Sequence, residues 1–227
     1  MDTHPEQLID INRSLLSQPY NNFLDDVIHT ANANGVQIQM SDTDLVYCNS
    51  DVPCRGYFTD LPSPVLSVAC DYPKEEWLTT LVHESCHMDQ WLSDSPYWIN
   101  AKVLGIEAIS LIELWVQGYI ELTEEKKWHY IRLARNLELD CERRAVSKIK
   151  KLNLPLDVTW YTQRANAYVL YYNAIGYTRK WFKPGKAPYD RPEIYTTLPK
   201  EMVISDEWYE PWYMNNDLKQ ALISCTY

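Results

Sequence analysis

Two histidines and a glutamate, in the string His-Glu-Ser-Cys-His at residues 83–87, have the types and spacing that metal-assisted hydrolysis requires. On an α-helix, residues four apart lie one turn apart on the same face, so His83 and His87 can direct two imidazole nitrogens at one ion. Glu84 lies beside them and can accept a proton from an attacking water. The pattern predicts a Zn²⁺ site with Glu84 as the general base.

A five-residue string of this kind also arises by chance, so its surroundings must support the interpretation. In a helical projection with His83 at the origin, His87 falls at about 40°. The opposite side of the same helix carries apolar residues such as Leu81 and Met88. Pro73 and the acidic residues after it form a helix start. The histidines are therefore predicted on the polar stripe of an amphipathic helix, away from its apolar face.

A catalytic zinc usually has three protein ligands, and segment 134–146 is the best source of the third. Glu138 and Glu142 are four apart, so on a helix they share a face, together with small and apolar residues. Two buried carboxylates on such a face favour a compensating cation, either a metal ion or an Arg or Lys from another element; the alternative is a face that is partly solvated. Glu138 is favoured as ligand with Glu142 orienting a ligand histidine; the reverse assignment and His129 remain open.

These motifs resemble those of the HExxH metallopeptidases whose third ligand is a glutamate on a later helix, the gluzincins. Glu138-Leu139-Asp140-Cys141-Glu142 is similar to their ligand glutamate followed by a small residue and an acid, although the interval of 51 residues after His87 is longer than in thermolysin-like enzymes. Residues 56–91 resemble the ImmA/IrrE-like layout of strands before the active-site helix. Residues 55–190 most resemble metallopeptidases encoded by tailed bacteriophages.

The resemblance implies a peptidase with a zincin-like fold that hydrolyses a protein or peptide substrate lying along an edge strand. It also implies a Tyr or His that stabilises the oxyanion. Tyrosines recur at helical spacing in the segment after Thr159, and Tyr168 is our choice among Tyr161, Tyr168, Tyr171 and Tyr172. An aromatic stripe on a helix is also typical of a core, so this assignment is a hypothesis.

Two other classes of function are compatible with the sequence. The first is a binding or regulatory protein that keeps the zincin fold but closes the zinc site with a fourth ligand, for which Cys86 or Cys141 is available. The second is a structural protein in which the motif is accidental. The placement of the histidines on a polar stripe argues against the second class.

The elements around the motif predict an α+β fold that is mostly helical, with a small sheet packed beside the active-site helix. Apolar periodicity predicts helices over 5–34 (broken near Gln18-Pro19), about 74–92, 98–123, 125–152 and 157–182. Short β-type runs predict strands at 36–40, 45–48, 56–59 and 65–70. The chain from Lys183 is expected to be irregular, and residues 1–227 to form a single domain.

Charge and composition exclude several partners. A net charge of −10 argues against general nucleic-acid binding, which requires a basic face. No apolar run is long enough for a membrane span, and the N-terminal residues lack a secretory signal. The six cysteines form no CxxC pair and are expected as free thiols, with Cys48 and Cys54 pairing only in an oxidising compartment. A cytoplasmic protein is expected, in the host cytoplasm if the gene is a phage gene.

Overall fold

The computed structural model describes residues 13, 16–48, 53–71, 73–183 and 185–227. The chain divides into two compact units. The sheet unit comprises the described part of residues 1–93 together with 147–156, and the helical unit comprises 94–146 and 157–227. The architecture is α+β with a helical majority, as predicted. None of the described helices is both long enough and apolar enough to cross a membrane.

The sheet unit is built on a three-stranded sheet in the order β1-β5-β4. Strand β5 (Val65–Ala69) is central and almost fully buried, parallel to β1 (Gln37–Ser41) and antiparallel to β4 (Gly56–Thr59). Strands β2 (Val46–Tyr47) and β3 (Pro53–Cys54) form a separate short hairpin. The predicted strands at 36–40, 45–48, 56–59 and 65–70 are confirmed in position, whereas β3 was not predicted.

Two helices cover the sheet unit. Helix α1 (Gln18–Ala33) begins at the predicted break, with Pro19 in its first turn, and buries Phe23 and Leu24. The predicted helix before Pro19 lies largely outside the described residues. Helix α2 (Lys74–Leu92) follows Pro73. Two glutamates lie in its first turn, where their negative charges interact favourably with the positive N-terminal end of the helix dipole. It packs against β4 and β5, so a sheet lies beside the helix with the His-Glu-Ser-Cys-His string, as predicted.

The helical unit contains most of α5 (Glu124–Lys151) and all of α6 (Val158–Thr178). The residues of α5 from 147 onward belong to the sheet unit. Helix α6 starts where the Asp157 side chain accepts a hydrogen bond from Trp160 N, and ends where Arg179 adopts a left-handed φ of 55°. The core of the unit is apolar and includes Ile112, Leu139, Leu170, Ile175 and Leu222.

The prediction of one helix over 98–123 is wrong. This stretch holds α3 (Pro96–Asn100), a hairpin of β6 (Lys102–Val103) and β7 (Ile106–Glu107), and α4 (Ala108–Val116). The hairpin turn places Leu104 and Gly105 at positive φ, 53° and 82°, which an α-helix cannot accommodate. The apolar periodicity of α4 was strong enough to hide this turn.

The C-terminal part is more regular than predicted. It contains α7 (Pro192–Tyr195), α8 (Asn216–Ile223) and three short 3₁₀ turns. Side chains of α6 form hydrogen bonds with the backbone of this C-terminal part. Gln163 donates to the carbonyls of Thr196 and Leu198, and Asn166 donates to that of Pro199. Helix α6 also ends at Thr178 rather than at residue 182.

Candidate metal centre

Helix α2 brings the two histidines of the motif into contact. The Nε2 atoms of His83 and His87 are 3.1 Å apart, and their rings stand at 82° to each other. Two imidazole nitrogens bound to one tetrahedral zinc at the usual bond lengths lie roughly 3.3 Å apart. The pair is therefore already spaced to coordinate one ion. The donor types, two imidazoles, suit zinc and other divalent transition metals.

Glu84 is buried, with 7% of its surface exposed, on the side of α2 that faces strand β4. A Cβ placed on Gly56 would lie 2.6 Å from Thr80 Cγ2 and 3.1 Å from Glu84 Cγ. The backbone of β4 thus approaches the helix closely because residue 56 has no side chain. We did not predict a role for Gly56. The signal was a lone glycine at the start of a strand pattern, which marks a close backbone approach.

The negative charge of Glu84 affects the pKa of the Cys54 thiol. The pKa of Cys54 is raised to about 12, mainly by burial and then by the negative charge of Glu84. The thiol of Cys54 therefore stays protonated and neutral near pH 7. Cys48 and Cys54 are not joined by a disulfide.

The turn of α2 that carries the histidines is anchored from its opposite side. Lys148, near the end of α5, has its Nζ 2.7 Å from Asp89 Oδ2 and donates to Ser85 Oγ at 2.9 Å. Ser85 is fully buried and donates in turn to Val82 O. Ser85 and Asp89 lie about 200° and 240° around the helix from His83. Lys148 therefore binds the side of α2 that lies away from the histidines, and the face that carries the histidines is polar.

In the helical unit, tyrosines of α6 meet the two predicted glutamates of α5. Tyr161 OH donates to Glu142 Oε2 at 2.8 Å, and Tyr172 OH donates to Glu138 Oε1 at 3.5 Å. Glu142 is 5% exposed. Glu138 and Glu142 lie on one face of α5, and each carboxylate accepts a hydrogen bond from a tyrosine hydroxyl.

Tyr168 belongs to the same group of tyrosines. Its hydroxyl is 3.2 Å from that of Tyr172, and its ring packs edge-on against Tyr189. Burial, with the charge of Glu138, raises the pKa of Tyr168, so its hydroxyl stays protonated. Tyr171 points elsewhere and packs against Trp181 and Phe182 in the core.

The remaining predicted alternatives lie in different surroundings. His129 is exposed on α5, with its ring against Tyr130. Cys86 on α2 and Cys141 on α5 are both completely buried. Asp140, between the two glutamates, accepts a hydrogen bond from Arg144 at 2.7 Å.

Comparison with known proteins gives no assignment. No protein-family model, curated protein or solved structure matches this chain. The function of the chain must therefore be inferred from its own residues and their geometry.

Proposed function

We propose that this protein is a zinc-dependent peptidase with a zincin-like fold, in which His83 and His87 bind the ion and Glu84 is the general base. The observation that carries the proposal is the 3.1 Å separation of the two Nε2 atoms, with the carboxylate-bearing residue Glu84 buried on the same helix. This separation is close to that of two imidazole nitrogens bound to one zinc ion.

The third ligand is proposed to come from the α5 segment that was singled out in the sequence. Cys141 is one candidate, because the sequence offers it as a possible ligand and thiolates bind zinc. Glu138 and Glu142 are the candidates that the resemblance to gluzincins favours, and tyrosine hydroxyls would orient them. Zinc accepts either thiolate or carboxylate as third ligand. Zinc occupancy in Cys141→Ser, Glu138→Gln and Glu142→Gln would identify it.

The chemistry of the proposed reaction divides between the ion and the chain. A bound zinc ion would supply Lewis-acid polarisation of the substrate carbonyl and a lowered pKa for water. Glu84 takes the proton of the attacking water and passes it to the leaving amine. Tyr168 remains the proposed donor to the oxyanion, because a hydroxyl that stays protonated can donate a hydrogen bond.

The proposed substrate is an extended peptide. Strand β4 is an edge strand of the three-stranded sheet, and it runs beside α2 with Gly56 against Glu84. A peptide that adds to this edge through main-chain hydrogen bonds would pass close to the general base. The acidic net charge of −10 would attract basic peptides through long-range steering.

A second candidate is a binding protein with the same fold and a closed zinc site. Cys86 and Cys141 are the potential extra ligands, because thiolates bind zinc. Four protein ligands would leave no coordination position for water, so such a protein would bind zinc without hydrolysing peptides. Zinc binding without any cleavage by the wild-type protein would identify this candidate.

Removal of the metal is expected to abolish cleavage reversibly. Purified protein is incubated with a mixture of unstructured peptides, and the products are analysed by mass spectrometry. Treatment with a chelator should stop cleavage, and one equivalent of zinc should restore it, because the proposed mechanism depends on the ion. Cleavage that continues unchanged in chelated, metal-depleted protein would refute a metallopeptidase.

A further inference from the structure

Gln90, a polar residue of α2, is fully buried. Its Oε1 atom is 2.8 Å from Nδ1 of His87, which is itself 7% exposed. The two residues are three apart on the helix, so their side chains are neighbours on one face. A buried amide at hydrogen-bonding distance from the ring of a proposed ligand restricts the tautomer and the orientation of that ring.

The chemistry of the contact fixes the protonation of His87. A carbonyl oxygen only accepts hydrogen bonds, so Nδ1 of the neutral ring must carry the hydrogen. The lone pair then lies on Nε2, the nitrogen that faces His83 at 3.1 Å. An isolated imidazole can place its hydrogen on either nitrogen, and only the Nδ1–H form can bind a metal through Nε2.

We propose that Gln90 is a positioning residue of the metal centre, which holds His87 in the Nδ1–H tautomer and fixes the orientation of its ring. This inference rests on the proposed function, because it assumes that His87 is a ligand. An amide also suits the site in terms of charge. It accepts the hydrogen bond without adding a second buried carboxylate to a helix that already buries Glu84.

The tautomer has a consequence for His83. Because Nε2 of His87 accepts, Nε2–H of His83 is the donor in the 3.1 Å contact between the two rings. The two histidines therefore hold opposite tautomers before the ion binds. To bind an ion through Nε2 as a neutral ring, His83 must release its Nε2 hydrogen to solvent and gain one at Nδ1, whereas His87 is already in the required form.

The affinity for zinc tests the proposal. Metal-free wild type, Gln90→Met and Gln90→Glu are titrated with zinc against a competing chromophoric chelator. Gln90→Met keeps the size of the side chain but removes the acceptor, and should weaken zinc binding by about 10- to 100-fold. Gln90→Glu restores an acceptor and should bind zinc at least as tightly as wild type. Met88→Leu, an apolar change beside His87, is the matched control and should leave affinity unchanged.

The tautomer itself is read by nitrogen NMR of metal-free protein labelled with ¹⁵N-histidine. Wild type should show His87 with Nδ1 protonated, and Gln90→Met should shift it toward the Nε2–H form. Either of two results overturns the proposal: His87 in the Nε2–H form in wild type, or wild-type zinc affinity in folded Gln90→Met. If Gln90→Met fails to fold by circular dichroism, the wild-type tautomer decides. Absence of zinc binding by the wild type would instead refute the proposed function.

Discussion

Replacing Glu84 with glutamine is expected to lower the rate of peptide cleavage by about 10²- to 10⁴-fold while zinc stays bound. Glutamine has nearly the same shape and fits the buried position beside Gly56. Its amide cannot accept a proton from the attacking water, so only the chemical step is impaired. The measurement is kcat/KM for a cleaved peptide, with the zinc content of the same samples.

Glu75→Gln provides the matched control for this prediction. Glu75 lies on the same helix, is exposed, and occupies the first turn. The same loss of one negative charge should therefore leave the cleavage rate unchanged. Equal rates in wild type and Glu84→Gln would remove Glu84 from the mechanism. Loss of zinc in Glu84→Gln would mean that Glu84 supports the ion rather than the proton transfer.

Replacing Arg135 with methionine is expected to lower the free energy of unfolding by about 3–5 kcal/mol. Arg135 is 1% exposed and donates to Glu210 Oε1 at 2.8 Å, to Asn173 Oδ1 at 3.0 Å and to the Tyr209 carbonyl at 3.0 Å. Methionine fills the space but leaves the largely buried Glu210 without its inner partner. Urea unfolding of wild type and variant, followed by circular dichroism, gives the difference.

Arg132→Met is the control because it removes the other arginine from the same carboxylate. Arg132 contacts Glu210 Oε1 at 3.1 Å, but its side chain is 47% exposed. An exposed ion pair of this kind contributes at most about 1 kcal/mol. Equal losses of stability in the two variants would show that the burial of Arg135 has no energetic weight.

The parts of the fold that could be predicted are those fixed by local spacing. The start of α2 followed from Pro73 and the acidic first turn, and the long periodic patterns predicted most of α5 and α6. The placement of His83 and His87 on one face is a property of residues four apart on any helix. For these features, the local sequence contains the whole physical cause.

Other features depend on contacts between residues far apart in the chain. The path of the C-terminal segment depends on bonds such as Gln163 to the Leu198 carbonyl and Arg135 to Glu210, and no local pattern reveals such partners. The hairpin at Leu104-Gly105 was hidden by apolar periodicity on both sides. That tyrosines of α6 bond Glu138 and Glu142 could not be read from either helix alone. The prediction of a single domain stays a prediction.

The most direct test is the zinc stoichiometry of the wild type beside His83→Ala, His87→Ala and His129→Ala, measured by mass spectrometry of the element after dialysis. One zinc per chain is expected in the wild type and in His129→Ala, whose histidine is exposed on α5. Both other variants should lose the ion, because each removes one of the two nitrogens that lie 3.1 Å apart. Full zinc occupancy in both His83→Ala and His87→Ala would contradict the central claim.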